Sequence, residues 1–270
     1  MHPDHVTSMI DEFGYIRTEV SLDLIAPEFQ ALVNDAATRV PQVLDAEFAG
    51  LYLYGSVAAG RAVAGRSGLD LFLVLQAEPD DTVLSRIREF AGELESESSG
   101  LVREVSIEST WLDEVFNGPN RLARQVFLRH MCVCIAGDDI RDELPRFAPT
   151  WEVCASLNGD APEVLGRLWR EFERTHAEHD RRRIAGKIAR KILYTGMSCI
   201  AAETGEWATG RADMASYLSL FYPAISADME FLLHACEEQE LALVGSLQRL
   251  RGLSRWISAE SRRVLRGTGE

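Results

Sequence analysis

A chain of 270 residues is long enough for one large or two modest domains with a sizeable buried core. Its formal net charge of −14 argues against unspecific nucleic-acid binding, which needs a basic face to neutralise many phosphates, and suits a small acceptor, a cationic one above all. No apolar run reaches the roughly 18 residues that span a bilayer, the first residues carry no signal-like segment, and Cys132, Cys134, Cys154, Cys199 and Cys236 form neither a zinc pattern nor a regular disulfide spacing. These features exclude a membrane span and point to the cytoplasm.

Residues 1–24 mix polar and apolar types, with a short strand expected over Tyr15 to Val20. Pro27 fits the first turn of a helix from Ala26 to Val40, where its missing N–H costs little. An apolar strand, Leu51 to Tyr54, then runs into Gly55-Ser56. A glycine there lets the backbone bend and approach a ligand, and the next residues present N–H groups at which an anion can sit. A Gly- and Ala-rich segment with Arg61 and Arg66 leads to a second strand, Leu69 to Leu75. Alternation puts Gly68, Asp70, Phe72 and Val74 on one face and the leucines on the other, so Asp70 falls at the strand's start, beside the Gly-Ser turn.

Farther on, Thr82 to Leu94 has the apolar spacing of a covering helix, and a loop runs to Gly100. Leu101 to Ser109 alternates as a third strand, with Arg103, Val105 and Ile107 on one face and Glu104, Ser106 and Glu108 on the other. Asn120 to Cys134 is expected as an apolar helix, which makes Cys132 and Cys134 core residues. From Ala161 nearly everything reads as helix: stripes at 164–172 and 183–202, short helices at 213–221 and 227–239, and a longer one from Leu241 to Leu265. Arg183, Lys187 and Lys191 share one helix face, readable as a phosphate-facing stripe or as a solvated face paired with Glu171, Glu173, Glu178 and Asp180. Glu173 and His176 have the spacing of two metal ligands, but a polar helix end is the expected reading.

Gly55-Ser56 followed by an acid on the next strand resembles the nucleotidyltransferase superfamily with the DNA polymerase beta type of core, including the bacterial aminoglycoside adenylyltransferases. The segment after Cys134 and the helical tail from Ala189 to Glu237 are similar to parts of such enzymes. The resemblance implies an α+β fold, a nucleotidyltransferase-type mixed sheet with flanking helices over residues 1–150, followed by an α-helical bundle domain over 151–270. It implies that Gly55 and Ser56 hold the phosphates of an NTP, ATP being the expected donor, and that Asp70 and a third carboxylate bind Mg2+. Glu104 matches that third carboxylate and the base for the acceptor hydroxyl, with Glu108 on the same face as the alternative. Lys187 would support the leaving pyrophosphate. Arg61 and Arg66 would help hold the nucleotide, pair with Asp70 in place of metal, or belong to a solvated loop.

The pattern departs from the family at one position: Gly68 stands where the first metal-binding Asp belongs. In the family, two acids hold two ions about 3.5 to 4 Å apart that bracket the attacking and leaving oxygens. Two functions are therefore expected: transfer of a nucleoside monophosphate to a hydroxyl of a small molecule, or nucleotide or metabolite binding by a catalytically degenerate homologue acting as a sensor or protein partner.

Overall fold

The computed structural model describes residues 8–237 and 243–266. The architecture is α+β, a mixed four-stranded sheet with flanking helices followed by a helical region. The chain divides into two compact units, one of residues 17–146 and one combining the residues before 17 with those from 147 on. Backbone hydrogen bonds tie that first segment into its unit: the Met9 N–H donates to the Trp207 carbonyl and the Ile16 N–H to that of Phe147, both at 2.8 Å. The strand expected over Tyr15 to Val20 is absent, and only an isolated bridge joins Ile10 to Ile16. The Asp11 carboxylate accepts from the N–H groups of Phe13 and Tyr15 and turns the chain instead.

The sheet unit runs α1 (Pro27–Leu44), β1 (Phe48–Tyr54), α2 (Gly55–Ala58), β2 (Leu69–Leu75), α3 (Asp81–Glu97), β3 (Val105–Trp111), α4 (Leu112–Phe116), α5 (Arg121–Met131) and β4 (Cys132–Gly137). The strand order is β3-β2-β1-β4, with β1 antiparallel to β2 and β4, and β2 parallel to β3. Period-two alternation divides the side chains. Leu51, Leu53, Leu69, Leu71, Leu73 and Leu75 pack with α1 and α3 in one core, while Tyr52, Phe72, Val74 and Cys132 pack with Val115 and Leu128 in the other.

Three expected elements change. Helix α1 continues through Pro41 to Leu44, because a proline withholds only its own N–H and its carbonyl still accepts from Asp45. The helix expected over Asn120 to Cys134 ends at Met131, and the apolar run CVCIAG becomes β4, paired with β1. A short apolar run is compatible with either element, and the partner strand decides. The third strand begins at Val105 rather than Leu101. Glu104 therefore lies just before it.

In the other unit, α6 (Trp151–Asn158), α7 (Ala161–Arg174), α9 (Arg211–Phe221), α10 (Met229–Cys236) and α11 (Leu243–Val264) pack around α8 (Glu178–Thr204). Most residues of α8 from Ile184 to Ala201 are buried, and Gly205, at φ 76°, ends it. Two expected boundaries, Gln239 and Leu241, lie outside the described residues. No helix among the described residues is long and apolar enough to cross a membrane.

Candidate functional site

The candidate site sits where β1 ends and β2 begins. Tyr54 pairs with Asp70 across the two strands, so the turn that leaves β1 lies directly beside the carboxylate. Gly55 takes φ 75°, a backbone conformation that costs other residues energy, and a Cβ placed on it would collide with Oδ2 of Asp70. Both facts require glycine. Ser56 follows in the first turn of α2 and is half-buried, and its carbonyl accepts from the Arg61 N–H at 2.9 Å.

The loop after α2 is stitched to the segment that enters β3. The Gly65 N–H donates to the Leu101 carbonyl at 2.8 Å, Arg103 N–H to Ser67 at 2.9 Å, and Leu69 N–H to Glu104 at 2.9 Å. These bonds extend the parallel β2–β3 pairing backwards and set Glu104 beside Gly68. A Cβ on Gly68 would lie 3.2 Å from Cγ of Glu104, 3.3 Å from its carbonyl oxygen and 3.8 Å from Oδ1 of Asp70. Asp70 and Glu104 thus border the same small volume, with Glu104 leaning over the position that lacks a side chain. The Arg103 guanidinium donates to Oε1 of Glu104 at 2.6 Å, both side chains being one-third exposed.

Glu108 is on the same sheet face as Glu104, two steps farther along past Ser106, paired in register with Phe72. The Tyr54 hydroxyl donates to its Oε1 at 3.3 Å, and the Tyr54 ring stands edge-on to Phe127 at 4.9 Å. Burial pushes the Tyr54 phenol well above its ordinary value, and the nearby charges of Glu108 and Asp70 push it further. The phenol therefore remains a donor. Tyr54 was not among the residues expected at the site, although its parity with Tyr52 on a buried strand was visible.

Arg61 ion-pairs with Glu19 at 3.1 Å rather than with Asp70, and Arg66 is exposed. Lys187 is an exposed residue of α8 in the helical unit. Its neighbours on that face differ: Arg183 is exposed, while Lys191 donates to Asn158 at 3.0 Å and to Asp160 at 2.8 Å. Glu178 engages Arg182, and Glu173 engages Arg251 at 2.8 Å.

Among the described residues no three His, Cys, Asp or Glu side chains form a group that could hold a metal ion. Two carboxylates bordering one volume fit a single hard cation that shares its oxygen ligands with a phosphate chain. They do not fit a pair of ions.

No protein-family profile matches the chain, and no curated protein matches it. A solved structure does: the chain is similar to spectinomycin adenyltransferase AAD(9) from Enterococcus faecialis, determined with ATP and spectinomycin, with a TM-score of 0.57 over 86% of this chain and 99% of that one. The fold is that of a nucleotidyltransferase. At 12% identity the likeness carries the architecture and no residue roles. Within this nucleotidyltransferase fold, the group formed by Gly55, Asp70, Gly68 and Glu104 sits at one end of the sheet, with Tyr54 and Glu108 beside it.

Proposed function

We propose that the protein binds a nucleoside triphosphate, ATP by preference, at the Gly55–Ser56 turn and transfers its nucleoside monophosphate to a hydroxyl of a small molecule. The observation that carries this reading is the fit of Gly55 against Asp70, which places N–H donors and a carboxylate within one turn of each other. Amides of the turn would hold phosphate oxygens. Asp70 and Glu104 would hold a magnesium ion, whose part is to neutralise charge developing on the phosphoryl oxygens. Glu104 or Glu108 would take the proton of the acceptor hydroxyl, Arg66 and Arg61 would border the nucleotide from the loop, and Lys187 would meet the leaving pyrophosphate. A hydroxylated, cationic acceptor suits the net charge of −14. Five free cysteines suit a cytoplasmic protein.

A second reading, nucleotide or metabolite binding without transfer, is favoured by Gly68. Transfer of this kind depends on positioning and charge stabilisation, both of which a missing acid weakens. One assay separates the two. The protein is incubated with NTPs, magnesium and hydroxyl compounds, and pyrophosphate is measured beside Gly68→Asp and Asp70→Ala variants. Release that disappears in Asp70→Ala establishes transfer. Nucleotide binding without release from the unmodified protein establishes the second reading, and failure to bind any NTP overturns both.

A further inference from the structure

We propose that Arg103 supplies a fixed positive charge to the phosphates of the bound nucleotide, so that this site takes one divalent cation where a two-ion clamp would need a third carboxylate. The inference rests on nucleotide binding at the Gly55–Ser56 turn.

The argument starts from the disagreement between the residues present and a two-ion site. Gly68 contributes no ligand, and the space over it is taken by Glu104, whose Cγ lies 3.2 Å from where a Cβ would stand. The positive group beside that space belongs to the chain itself: Arg103 reaches Oε1 of Glu104 at 2.6 Å. Its backbone N–H is fixed to the Ser67 carbonyl at 2.9 Å, one residue from Gly68, so the Arg103 backbone is pinned to the segment whose acid is missing.

Charge balance points the same way. Three carboxylates with two divalent ions leave one net positive charge to meet the phosphates. Asp70, Glu104 and Arg103 with one divalent ion leave the same. A guanidinium is suited to this exchange because it stays charged at any working pH and its five donors form a planar fork that can bridge a carboxylate and a phosphate. Of the other arginines near the turn, Arg61 pairs with Glu19 and Arg66 lies exposed on the loop, whereas Arg103 is held at Glu104 itself.

The test counts ions on the full chain, using Mn2+ and α,β-methylene-ATP as probes. Electron paramagnetic resonance gives the number of bound Mn2+ and calorimetry gives the affinity for the analogue. One Mn2+ per chain is expected with the analogue bound. Arg103→Gln should weaken the analogue by roughly ten- to a hundredfold, the range for a hydrogen bond to a charged group, with an unchanged circular dichroism spectrum. Arg103→Lys should recover part of that loss. Two ions per chain, no ion beside a bound analogue, or unaltered affinity in Arg103→Gln would each overturn the inference and leave the nucleotide reading standing. An analogue that fails to bind the unmodified protein removes the nucleotide reading, and the inference with it.

Discussion

Gly55 and Asp70 are built around one another. The glycine takes a φ of 75°, and the space where its Cβ would stand is taken by the aspartate's Oδ2. Substitution by alanine should therefore meet two penalties. The backbone conformation alone costs about 1–2 kcal/mol, and the steric conflict adds to it. In an Asp70→Ala background the second penalty disappears, because the Cβ of residue 70 stands 3.4 Å away, at ordinary contact distance. A double-mutant cycle by urea denaturation should show a coupling of about 0.5 kcal/mol or more. Additive effects would mean that the two residues do not conflict.

Tyr52 and Tyr54 lead to an alkaline prediction. Burial raises both phenols above their ordinary value, and the neighbouring carboxylates of Asp70 and Glu108 add to the shift at Tyr54. A pKa raised in the folded state contributes stability that is complete below the unfolded value, about 10, and is lost as pH rises above it. Stability should thus fall above about pH 10 as the unfolded chain's phenols ionise. Tyr54→Phe should flatten that fall. Absorbance of phenolate, followed together with circular dichroism, should show these two rings titrating only as the protein unfolds.

The five thiols should separate by access. Cys132, Cys154, Cys199 and Cys236 are buried, whereas Cys134 is partly exposed. Burial pushes Cys154 and Cys199 up to about 12 and Cys236 up to about 11, so little thiolate exists at neutral pH. Ellman's reagent at pH 8 should modify Cys134 first and the rest only after denaturation. Rapid modification of all five in the native protein would contradict the packing described.

Gly196 tests the helical unit. Alanine is ordinarily the better helix former by about 1 kcal/mol. Here a Cβ would lie 2.7 Å from Cδ2 and 3.0 Å from Cγ of the buried Leu218. Overpacking of this kind costs about 1–3 kcal/mol, so Gly196→Ala should lower the melting temperature. The same substitution beside Leu218→Ala should cost less than it does alone.

Much of the sheet was legible because its signals are local. The strand from Leu69 to Leu75 begins and ends as its alternation predicts, and Gly55-Ser56 falls at the end of β1. Asp80 capping α3 through the Val83 N–H is likewise a short-range pattern. A four-residue misplacement of the third strand's start, and the reading of Cys132 to Cys134 as helix, came from runs whose own periodicity is ambiguous. Pairing with β2 and β1 respectively resolves them, and those partners are distant in sequence.

By itself the sequence determined an α+β chain with a glycine turn, one acid on the following strand and no acid at Gly68, since each is a property of adjacent residues. Only the tertiary structure decided what surrounds that gap. The parallel register of β2 and β3 brings Glu104 and Arg103 to Gly68 and leaves Glu108 with Tyr54, while Arg61 turns away to Glu19. Alternation within a strand assigns a side chain to a face. It cannot assign the height at which two strands meet, and that height determines which carboxylate borders the Gly55 turn.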